Sequence, residues 1–147
     1  FFGLENERRI KIINRIKEEK INFFYGHNYF NVEGHFKLIK ETKVVLVIHY
    51  YLEDFPIDYY RITPLICNKI FIIHEEVQKE DMETEEYRIL SETIPFVKHE
   101  NMVKECQKWL SVSQEERDKI AEKTYQNFKE KMSLEKYIPW EQLKNYE

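Results

Sequence analysis

The sequence predicts an α/β fold of Rossmann-like type: a mostly parallel sheet of about five strands flanked by helices. Three observations carry this expectation. Val44-Val45-Leu46-Val47-Ile48 is a continuous apolar run, β-branched at four of its five places, which suits a strand buried on both faces of a parallel sheet. Ile70-Phe71-Ile72-Ile73 is a second run of the same kind. Between them lie Pro56 and a stretch, residues 57–68, that reads as a helix entered from a loop. Strand, loop, helix and strand in this order make a βαβ unit, and strands alternate with helices along the rest of the chain.

Taken in order, Phe1-Phe2-Gly3 reads as a strand end followed by a turn. The chain is therefore expected to be a fragment with its first strand cut, one lobe of a longer protein. Residues 5–20 place Ile10, Ile13 and Ile16 at helical spacing, with Asn6 as the cap. Residues 21–25 read as a strand stopped by Gly26, on β-propensity rather than on alternation. A polar and aromatic loop (27–34) and a short helix (36–42) then lead into the 44–48 strand, expected to be the central one.

Residues 76–91 are rich in Glu and read as an exposed loop or a ragged helix. Ile94-Pro95-Phe96-Val97 is expected at a sheet edge, because Pro95 removes a ladder donor. Met102, Val103, Cys106, Trp109 and Leu110 follow the spacing of an amphipathic helix. Ser113-Gln114-Glu115-Glu116 is a capping box that opens another helix, with Ile120, Tyr125, Phe128 and Met132 as its apolar side. Residues 133–147 form an aromatic tail containing Tyr137 and Trp140. Residues 1–147 together make one domain, long enough to bury a core.

Composition removes several classes. Net charge is −4 with no basic block, so nothing points to nucleic acid. No apolar run approaches the ~18 residues of a membrane span, and no signal peptide is evident. Cys67 and Cys106 fall in apolar positions of predicted helices and read as free, buried thiols of a reducing compartment, hence a cytoplasmic expectation. The histidines and cysteines show no zinc spacing, no HExxH or CxxC occurs, and neither a phosphate loop nor a GxSxG elbow is present. No metal and no cofactor is expected.

In open α/β sheets ligands bind at the carboxyl ends of the strands, which directs attention to residues 49–61 and to His74-Glu75. His49, at the end of the 44–48 strand, suits a hydrogen bond to a ligand or, equally, to a backbone carbonyl. Asp58 to Arg61 fall on the first turn of the following helix, where free N–H groups and the dipole favour an anion. Arg61 offers a planar donor fork for a diphosphate. Asp58 is also placed to cap its own helix, and Arg61 to make a salt bridge. Tyr50, Tyr51, Tyr59 and Tyr60 suit stacking on a base or packing against another surface.

These residues also carry a family resemblance. Val47-Ile48-His49-Tyr50-Tyr51, Ile57-Asp58-Tyr59-Tyr60-Arg61-Ile62 and Ile72-Ile73-His74-Glu75 resemble the C-terminal, donor-binding lobe of GT-B glycosyltransferases, in the CgeB-like and family-1 group. The resemblance covers most of residues 1–131. It implies transfer of a sugar from a nucleoside diphosphate sugar to an acceptor hydroxyl of a glycan, protein or small molecule, without a metal. It further implies a nucleotide site that includes His49, Tyr50, Asp58, Tyr59 and Arg61. Gly3 and Arg8 (with Arg9 beside it) would lie at the first strand–helix turn, Tyr25 and Gly26 near the nucleobase, and Glu75 against ribose or sugar hydroxyls. The general base would stand on the N-terminal lobe, a partner of this one.

Three departures bear on that implication: Asp58 stands where the group has Glu, His74 where it has Ser, and Pro64 where many relatives have a ribose-binding Glu. A non-catalytic, degenerate glycosyltransferase-like or Rossmann-like interaction module is therefore the alternative. A receiver-like signalling domain ranks last, since its acidic cluster after the first strand is missing.

Overall fold

The computed structural model describes residues 3–24, 32–51 and 56–132. Asn6 opens the first helix, α1 (Glu7–Glu18), by accepting the Arg9 N–H on its side chain. Helix α2 (Val32–Glu41) follows and leads into strand β1 (Val45–Val47). Asp58 caps α3 (Tyr59–Cys67), again through a side-chain bond from an N–H three residues on, that of Arg61. Strand β2 (Ile72–Glu75) comes next, followed by two short helices, α4 (Lys79–Met82) and α5 (Glu85–Ser91). Strand β3 (Phe96–Val97), a 3-10 turn at His99–Asn101, α6 (Met102–Ser111) and the Ser113-capped α7 (Gln114–Lys131) complete the described chain.

Among the described residues the sheet has three strands, not the expected five, in the order β1-β2-β3 and parallel throughout. β2 is therefore the middle strand, and the 44–48 run expected at the centre lies at one edge. β3 takes the other edge, where Pro95 contributes only its carbonyl, to the His74 N–H. The strand expected at residues 21–25 is not formed over residues 21–24. There the Ile21 N–H is used to close α1, on Ile16 O, while Ile21 and Phe23 pack half-buried beside the core. Tyr25, Gly26 and the expected strand end at Phe1-Phe2 lie outside the described residues, as does the 133–147 tail.

Alternation along β1 splits the core between two faces. Val45 and Val47 pack with Ile39 of α2, Ile62, Leu65 and Ile66 of α3, and Leu90 and Ile94. Leu46 and Ile48 join Phe71 and Ile73, Ile12 and Ile16 of α1, and Met102, Val103 and Cys106 of α6. Helices thus cover both faces, which is why the runs 44–48 and 70–73 are apolar without a break.

Helix α7 buries Arg117, Ala121 and Thr124, with Tyr125, Phe128 and Met132 half-buried against the first of these clusters. Within the stretch 76–91, expected as an exposed loop or a ragged helix, α4 and α5 are two short helices, and Val77, Ile89 and Leu90 are buried. Cys106 is buried as expected, but Cys67 is exposed. Cys67 is the last residue of α3 and falls beside the inward stripe Ile62-Leu65-Ile66, one helical step off the core.

Candidate functional site

The carboxyl ends of β1 and β2, the start of α3 and the start of α1 meet at one end of the sheet. Glu75 is at their centre, only 2% exposed. Arg8 grips it with both terminal nitrogens, Nη1 donating to Oε2 at 2.7 Å and Nη2 pairing with Oε1. The backbone N–H of His49 donates to Oε2 at 2.8 Å, and the His99 ring meets Oε1 through Nδ1 at 3.1 Å. This one carboxylate therefore ties the ends of β1 and β2 to α1 and to the turn after β3.

Arg9 is buried beside it and works on the backbone. Its Nε and Nη2 donate to Ile48 O at 3.1 and 2.6 Å, and Nη1 donates to Leu4 O at 2.8 Å. Its guanidinium also stacks over the Tyr50 ring, 5.1 Å from the centroid. From the other side Arg61 Nη1 donates to the same Ile48 carbonyl at 3.3 Å, while its Nε pairs with Asp58 Oδ2 at 3.3 Å. Three guanidinium groups thus converge on the end of β1. Of the three, Arg61 keeps the most surface, with 28% of its side chain exposed.

His74 is wholly buried and braces the start of α3. Its Nδ1 meets Glu75 O at 2.5 Å, and its Nε2 accepts the Asp58 N–H at 3.4 Å. One ring nitrogen donates and the other accepts, so the ring is neutral. Burial first, and Arg61 after it, push His74 down to about 4. His49 packs edge-on against this ring at 5.2 Å and is also pushed down to about 4, by burial and then by His74 and Arg8. His99 reaches about 4 as well, through burial and the cations Arg8, Lys11 and Arg15, so near neutral pH it meets Glu75 as a neutral donor.

In front of this cluster lies a groove of about 970 Å³ along β1 and α3, lined among others by Gly3, Val47, Tyr59, Tyr60, Arg61 and Pro64. Tyr60 stands 94% exposed on its lip. Gly3, Tyr59 and Arg61 of the expected site face the groove. Arg8, His49, Tyr50, Asp58 and Glu75 form the layer behind or beside it, and Tyr25 and Gly26 fall outside the described residues. Asp58 both caps α3 and pairs with Arg61, the two alternatives weighed for these residues.

Arg9, His74 and His99 also belong to the cluster. Arg9 falls in the Arg8-Arg9 doublet and His74 in the strand-end pair His74-Glu75, to which the sequence directs attention. His74 gives α3 its anchor, and nothing in the sequence marks His99. Among the described residues no group of three or more His, Cys, Asp or Glu is placed to hold a metal ion, and no helix is long and apolar enough to cross a membrane.

No protein-family model, no curated protein and no solved structure matches the chain.

Proposed function

We propose that this domain binds a nucleoside diphosphate sugar at the groove beside the α3 N-terminus, as the donor lobe of a metal-independent GT-B glycosyltransferase. The observation that carries the reading is Arg61. It is held by Asp58 and the Ile48 carbonyl at the start of α3, yet is open to the groove that Gly3, Tyr59 and Tyr60 also line. A helix N-terminus and a guanidinium side by side suit a diphosphate, and they would stabilise it as a leaving group. Tyr59 and Tyr60 offer faces for a base or sugar.

In this reading Glu75 acts from behind: it orients Arg8 and the His49 backbone instead of touching ribose. The general base belongs to a partnering lobe, so residues 1–147 alone bind the donor and transfer nothing. A cytoplasmic location goes with the same reading, since that is where nucleotide sugars and free thiols coexist.

The second reading, a non-catalytic module of the same descent, is favoured by two observations. Both oxygens of Glu75 are engaged inside the protein, and Pro64 stands where the resemblance expects a ribose-binding carboxylate. The thermal midpoint in the presence of UDP, GDP, dTDP and their sugars separates the two. A ligand that binds only the folded state at 100 times its Kd adds about 2.7 kcal/mol. The donor-lobe reading predicts a rise with one nucleotide series that Arg61→Ala abolishes; no rise with any of them favours the module.

A further inference from the structure

Positive charge at the ligand end of the sheet is largely answered within the protein itself. Arg8 is met by the Glu75 carboxylate, and Arg9 spends its donors on the Ile48 and Leu4 carbonyls. Arg61, the guanidinium that opens to the groove, is met by Asp58. Both oxygens of Asp58 lie on that one residue: Oδ1 accepts the Arg61 N–H at 3.1 Å, and Oδ2 pairs with Arg61 Nε at 3.3 Å. Aspartate is among the residue types that cap a helix in this way, and the glutamate of the resembling group is not.

This carboxylate is not shut away. Its side chain is 26% exposed, against 3% for Glu75. The start of α3 attracts an anion through its free N–H groups and its dipole, and part of that attraction is already answered by the chain's own negative charge. An anion held by Arg61 therefore stands one guanidinium group away from a like charge that solvent only partly screens.

We propose that Asp58 determines which form of the nucleotide this site prefers: the intact nucleoside diphosphate sugar over the nucleoside diphosphate that transfer leaves behind. The inference rests on the donor-lobe reading. Transfer breaks the bond between the anomeric carbon and the terminal phosphate oxygen. The sugar joins the acceptor oxygen, whose proton passes to the general base of the partnering lobe, and the electron pair stays on the phosphate. The product thus carries about one more negative charge than the donor near neutral pH, since a terminal phosphate has its second ionisation at about pH 6. Arg61 meets that charge as it develops, and Asp58 keeps the finished product from being held. One added charge beside a partly exposed carboxylate gives a discrimination of about fivefold to tenfold.

Calorimetric titration of residues 1–147 with UDP, GDP and dTDP, each beside its glucose-linked donor, tests it. The unaltered protein is expected to bind the donor of one series more tightly than the matching diphosphate. Asp58→Asn keeps a capping side chain and removes the charge. In that variant both ligands tighten, the diphosphate by about fivefold or more beyond the donor. Equal changes for the two ligands overturn the proposal and leave the donor site in place. So does a donor that weakens while the diphosphate holds steady, because Asp58 would then grip the sugar. A diphosphate favoured by the unaltered protein overturns it as well. No binding of any nucleotide to either protein overturns it together with the donor-lobe reading.

Discussion

Glu75 joins four elements through one side chain, and its neighbours define what its loss would do. Arg8 is largely buried with it, so removing the carboxylate leaves a guanidinium partly out of water and the His49 N–H without its acceptor. Breaking one side of a buried pair costs about 3–5 kcal/mol. Glu75→Gln should lower the urea-unfolding free energy by about 3 kcal/mol, since the amide keeps one acceptor oxygen. Arg8→Met combined with Glu75→Gln should recover part of that loss. Losses that simply add, with no recovery, would mean that the two side chains act separately.

This arrangement was half legible beforehand. A polar pair after a buried-strand run marks a strand end, so His49 and Glu75 could be placed. Their common partner, Arg8, lies 41 and 67 residues from them along the chain, and no spacing pattern announces a contact of that range.

At the scale of elements, three helix starts that carry a side-chain cap could be read, while that of α2, at Val32 and not near 36, could not. Asn6, Asp58 and Ser113 each cap as their residue types suggest. The ends of α1 and α3 are closed by the pair of bonds of a Schellman motif: Lys20 N–H to Lys17 O with Ile21 N–H to Ile16 O, and Lys69 N–H to Ile66 O with Ile70 N–H to Leu65 O. The left-handed position in both is lysine, at φ 54°, rather than glycine. With three glycines in the chain, the usual stop signal was absent. That is also why residues 21–25 looked like a free strand when their first N–H was already committed to α1. Lys20→Gly removes the Cβ penalty of about 1–2 kcal/mol against an entropic loss of about 0.5–1 kcal/mol. It should stabilise the protein by about 0.5–1 kcal/mol in chemical denaturation. A destabilised variant would show that the lysine side chain contributes more than the strain it carries.

At the scale of the whole molecule, the parallel α/β class was legible because the runs 44–48 and 70–73 are apolar on every residue, and helices on both faces explain that. Strand order was not, since an edge and a centre strand share the same apolar code.

The three histidines at one end of the sheet couple the fold to pH. His49, His74 and His99 are each pushed down to about 4 in the folded chain, against about 6.5 when unfolded. Between these values the unfolded chain binds more protons, so stability is full above pH 6.5 and is lost as pH falls toward 4. Each histidine contributes a slope of at most about 1.4 kcal/mol per pH unit. Urea midpoints should fall steeply from pH 6.5 to 4.5, and His74→Gln should flatten the curve. A curve flat down to pH 5 would mean that these rings do not stay neutral in the fold.

A strand end, a capped helix start and a partly exposed guanidinium meet at the proposed donor site. Titrating the ¹⁵N-labelled protein with a nucleoside diphosphate and following its amide resonances tests the donor-site reading directly. The account predicts shifts concentrated at Gly3, His49, Tyr50 and residues 58–61, and their disappearance in Arg61→Ala. Shifts elsewhere, or none at millimolar nucleotide, would contradict it.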